Sequence, residues 1–116
     1  MNPEAQRIAI AEACGWTRGK RRELSFSNPD KQIEHDSWIN PGGISERKLP
    51  DFLNDLNAIY EAEKVLNYYQ QSEFVSRLSS KVSHGFNFCH ATAAQRAQAF
   101  LRTIGKWQEQ PQEQLV

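Results

Sequence analysis

The chain has 116 residues and a mass of 13.3 kDa, enough for one hydrophobic core and too few for two. Three Trp, three Tyr and six Phe supply core bulk that a disordered chain lacks. A mean hydropathy of −0.70, with no apolar run near the ~20 residues of a membrane helix, argues for a soluble protein that does not enter the membrane. Fourteen Lys and Arg balance fourteen Asp and Glu, which removes the global field that would hold the protein on long duplex DNA or an anionic membrane.

Charge is uneven locally. Residues 51–73 carry Asp51, Asp55, Glu61, Glu63 and Glu73 against Lys64, whereas residues 74–107 carry Arg77, Lys81, Arg96, Arg102 and Lys106 and no acid. This predicts complementary faces, either between packed helices or between two copies in a homo-oligomer. Cys14 and Cys89 lie far apart, and charge interrupts the first residues where a signal peptide would be apolar, so a reduced, cytoplasmic protein is expected.

Asn2, Pro3 and Glu4 form a helix start, with a capping side chain, a ring suited to the first turn and an acid at the positive end of the dipole. Gly15 should end that helix. A turn is expected at Gly19, placing the basic run RGKRR (18–22) on a β-turn, and Glu23-Leu24-Ser25-Phe26 alternates as a strand does. Asn28-Pro29-Asp30 signals a turn, IEHDSWI (33–39) a second strand, and NPGG (40–43) another break. From Leu49 to Leu66 apolar residues recur at spacings of three and four, which predicts a helix opening at Pro50-Asp51 and running to about Asn67.

A further helix is predicted over 71–82, with Phe74, Val75, Leu78 and Val82 on one side, ended by Gly85. Phe86-Asn87-Phe88-Cys89-His90 alternates as a short strand. Thr92 then caps a closing helix in which Ala93, Ala97, Phe100, Leu101, Ile104 and Trp107 share a face, and the small Ala93, Ala94 and Ala97 permit a close neighbour. The expected architecture is an α+β fold, a small antiparallel sheet sandwiched between helices, with about four helices and three to four strands. Residues 1–107 form one domain and 108–116 a polar tail.

Three stretches, AEACGW near the start, LPDFLNDLNAIYEAEKVL in the middle and HATAAQRAQAFLRTIGKW at the end, resemble the phage α/β/α-sandwich domain family, small proteins of phages and prophages. The resemblance implies a sheet between helices and a phage origin. It brings no reaction and no catalytic residues.

His84, Cys89 and His90, with Cys14 or His35, have the ligand types of a zinc site, but adjacent Cys89 and His90 would point to opposite faces of a strand, and no paired C-x-x-C spacing is present. No metal and no cofactor are expected. Cys89 as a nucleophile beside a histidine would need a lowered thiol pKa, and no oxyanion-hole pattern surrounds it. NPGG lacks the GK[ST] of a phosphate loop. Asn54, Asn57 and Glu61 read as a solvated helix face.

RGKRR is the strongest candidate site. Arg18, Lys20, Arg21 and Arg22 can present donors to phosphate, and Trp16 or Trp38 can stack on a base; the bland reading is a solvated turn tip. The favoured function is a non-enzymatic phage or prophage accessory protein. It would bind a host protein or sequester a phosphorylated small molecule, such as a nucleotide, an action that includes counteracting host defence. A nucleic-acid-binding regulator is the alternative, and a small Cys89-dependent enzyme ranks below it.

Overall fold

Asn2 opens the first helix as its side chain predicts. Its Oδ1 accepts from the Ala5 amide at 2.7 Å, and α1 runs Pro3–Ala13. The computed structural model describes residues 1–24, 32–81 and 90–109. Gly15 adopts φ 94°, so the Gly15 amide can donate to Glu12 and the Trp16 amide to Ala11. That pair of bonds closes the helix and turns Trp16 into the core. Gly105 repeats the device at the end of the last helix, with φ 75°, Gly105 donating to Arg102 and Lys106 to Leu101.

A three-stranded antiparallel sheet follows in the order β1 (Thr17–Leu24), β2 (Gln32–Ile39), β3 (Ser45–Glu46). The register pairs Thr17 with Ile39, Arg18 with Trp38, Gly19 with Ser37 and Lys20 with Asp36. The expected strand over 33–39 is thus present. The expected turn at Gly19 is not, because Gly19 lies inside β1 and RGKRR is strand rather than turn. The glycine answers a close approach: a Cβ there would lie 2.7 Å from Ile39 Cδ1. The NPGG break joins β2 to β3, with Gly43 N donating to Asn40 O and Ile44 N to Asn40 Oδ1. The Asn28-Pro29-Asp30 turn, Ser25 and Phe26 lie outside the described residues.

The middle helix is shorter than its periodicity predicts. Residues 51–54 form a turn in which Asp51 O accepts from Asn54 and Asp55, and the Asp55 side chain caps Asn57 N at 3.0 Å. The helix α2 is therefore Leu56–Glu63. Phe52 and Leu53 are buried from the turn, which is why apolar spacing alone did not mark the boundary. Helix α3 spans Tyr68–Lys81, starting earlier than expected. Its start is reciprocal: Gln70 N donates to Asn67 Oδ1 and Asn67 N to Gln70 Oε1. Val75 is exposed, while Phe74 and Leu78 are buried. Val82, Gly85 and the 86–89 part of the expected strand lie outside the described residues; His90 is exposed.

Helix α4 (Ala93–Thr103) begins with the capping box of Thr92 and Gln95. It is the hub of the helical layer, packing against α1, α2 and α3. Ala93 and Ala97 give the close approach their size allows, Ala94 faces solvent, and Phe100 and Leu101 are fully buried. The described residues form an α+β fold of four helices and a three-stranded antiparallel sheet.

The acidic and basic halves meet inside this layer. Arg96 Nε donates to Glu63 Oε2 at 2.8 Å and Arg96 Nη2 donates to Glu63 Oε1, with side chains only 11% and 15% exposed. The guanidinium also lies 4.7 Å from the Tyr60 ring centroid and 5.5 Å from that of Phe74. No helix of the described residues is long and apolar enough to cross a membrane.

Candidate functional site

Alternation along β1 divides the basic run between two sheet faces. Arg18, Lys20 and Arg22 occupy positions on one face, opposite Trp38, Asp36 and Glu34 of β2, and Arg21 occupies the other face opposite His35. Asp36 therefore stands across from Lys20, an opposite-charge cross-strand pair of exposed residues that favours the strand pairing. Strand β1 is also an edge of the sheet. Charged side chains along an edge discourage pairing with another chain, which accounts for much of RGKRR without a ligand.

Arg18 is different because its cross-strand partner is an aromatic ring. Its guanidinium sits 4.9 Å from the Trp38 ring centroid. The pair borders a groove of about 480 Å³ between α1 and the segment leading from β3 to α2. Ile8 and Leu49 give the groove apolar surface beside Trp38, and Arg7 and Lys48 join Arg18 as its cations. Glu4 and Asp51 are its acids, so three cations face two carboxylates and one positive charge is in excess. Arg7 Nε stands 3.5 Å from Asp51 Oδ1, a half-exposed pair that a stronger anion could replace. A smaller hollow of about 310 Å³, also bordered by Arg18 and Trp38, adds Asp36 and Arg47.

The structure thus separates the residues that the sequence grouped. Arg18 and Trp38 come together at the groove. Trp16 is 9% exposed and belongs to the core, so it offers no stacking surface. Lys20, Arg21 and Arg22 lie farther along the ribbon than Arg18. Arg7 and Lys48 complete the groove and escaped sequence reasoning: they lie in segments far from Arg18 in the chain, and only the tertiary fold joins them.

Among the described residues no group of three or more His, Cys, Asp or Glu is placed to hold a metal. Cys14 is half-buried, its thiol donates weakly to Ala62 O at 3.9 Å, and burial pushes it up to about 11. A thiol so protonated is a poor nucleophile. His84 and Cys89 lie outside the described residues. Comparison of the chain with family models, with curated proteins and with solved structures finds no match in any of the three.

Proposed function

We propose that this protein acts by binding, without catalysis, and that its ligand is a phosphorylated small molecule of the nucleotide class held in the Arg18–Trp38 groove. The observation that carries this reading is the Arg18 guanidinium stacked on Trp38 beside Arg7 and Lys48. Arginine forks match phosphate oxygens, and an indole face accepts a base. One net positive charge suits a ligand of few phosphates better than a duplex. The resemblance to phage sandwich domains supports an accessory role in a host cytoplasm, where sequestering a nucleotide would counteract host defence.

Calorimetric titration with nucleoside monophosphates tests the reading. Binding is expected with the natural chain and lost in Arg18→Glu, with the melting temperature unchanged because Arg18 is exposed. Equal binding by both proteins, or none by either, rejects it.

A second reading, a host-protein partner, is favoured by the exposed Tyr68 and Tyr69, which are 77% and 82% accessible and meet edge to face at 5.7 Å. Recovery of one host protein with the natural chain and not with a Tyr68→Ser/Tyr69→Ser variant would support it. The same patch would serve self-association, which sedimentation distinguishes.

A further inference from the structure

The groove at Arg18 and Trp38 shares one wall, Arg7, with a neighbour. Arg7 also walls a second groove, of about 430 Å³, bounded by the amino-terminal turns of α1 and α4. Gln6, Gln95 and Gln98 give this second groove an amide lining, and Trp107 stands at its edge. Trp107 in turn borders a hollow of about 240 Å³ that holds Arg77, Arg102 and Glu109. Arg102 backs the Trp107 ring at 5.2 Å, as Arg18 backs Trp38 at 4.9 Å. Two arginine-backed indoles are therefore linked by Arg7 and a row of amides.

We infer that the two grooves form one track for a short single-stranded oligonucleotide, with one base on Trp38, another on Trp107, and the backbone passing Arg7 towards Arg102. The inference rests on the nucleotide reading of the Arg18 groove and extends its ligand class. Proteins that hold single strands combine cations that follow the backbone with aromatic faces that accept any base. Amides between such faces can donate to and accept from base edges. The modest charge excess of the first groove fits a short strand, whose few phosphates need few cations.

A feature of the far end supports a phosphate there. Glu109 Oε1 accepts from Arg102 Nη2 at 2.8 Å and from Trp107 Nε1 at 3.1 Å. These bonds, Arg102 first, hold the exposed Glu109 carboxyl below its ordinary range. Arg102 Nε is buried without a hydrogen-bond partner, a donor that the single carboxylate oxygen leaves unused. The Glu109 carboxylate stands in for a phosphate, and a phosphate with more oxygens would take its place.

Indole resonances of the nitrogen-15-labelled protein test the track. Three are expected, and buried Trp16 is the internal control. Thymidine 5′-monophosphate should shift Trp38 alone. Hexathymidylate should shift Trp38 and Trp107 and bind at least about fivefold more tightly, the least gain expected from one more stacked base. Gln98→Glu, which puts a carboxylate in the connecting groove, should weaken hexathymidylate and leave the monophosphate unchanged. If the monophosphate moves Trp38 while hexathymidylate leaves Trp107 unmoved and gains no affinity, the track is wrong and the mononucleotide reading stands. If neither moves Trp38, both are wrong.

Discussion

Replacing Glu63 by Gln keeps the shape of the side chain and removes its charge, which makes it a direct probe of the link between α2 and α4. The Arg96 guanidinium is nearly as buried as the core around it and donates two charge-assisted hydrogen bonds to Glu63. Arginine does not relieve an unpaired charge by losing its proton. Breaking a buried pair from one side costs about 3–5 kcal/mol. At this chain length that lowers the melting temperature by about 12–20 °C, taking ~4 °C per kcal/mol. Urea denaturation followed by circular dichroism should show a lower midpoint at unchanged m-value. The double variant Glu63→Leu/Arg96→Met should recover most of the loss, because apolar residues of similar volume replace such pairs at little cost. A Glu63→Gln penalty under about 1 kcal/mol, the range of an exposed pair, would refute this account of the interface.

Thr92→Ala removes one half of the α4 capping box and should cost about 1 kcal/mol in the same denaturation assay. Gly19→Ala places a methyl against Ile39 and should cost about 1–3 kcal/mol, since the Ile39 side chain must leave its rotamer; an unchanged midpoint would remove the steric reason for that glycine. Cys14 should react with thiol reagents at neutral pH far more slowly than a free thiol. Its folded pKa lies above its ordinary 9.0, at about 11, so the folded state holds the proton more tightly. Stability should therefore fall as pH rises through that window, and Cys14→Ser should remove this part of the alkaline loss.

Local signals in the sequence were the most readable ones. Asn2-Pro3-Glu4, Thr92 and Gly15 mark helix ends through bonds that span a few residues, whereas Gly105 was read through: the closing helix was expected to reach Trp107 and ends at Thr103. The middle helix was misread because Phe52 and Leu53 reach the core from a turn, and the cap is Asp55 rather than the expected opening at Pro50-Asp51. Gly19 was misread as a turn because its reason is Ile39, twenty residues on. The acidic and basic halves predicted a meeting, and Arg96 with Glu63 supplies it, although neither residue stood out from its neighbours in the chain. Arg7 and Lys48 carried no signal, since a groove built from α1, the sheet and the segment before α2 exists only after folding.

The indole titration with thymidine 5′-monophosphate tests the central claim most directly, because Trp38 lies beside Arg18 and Trp16 is buried in the same molecule. The binding reading predicts a saturable shift of Trp38, no shift of Trp16, and no shift of either in Arg18→Glu. A Trp38 resonance that stays fixed at high ligand concentration, or one that moves equally in the Arg18→Glu protein, would contradict it.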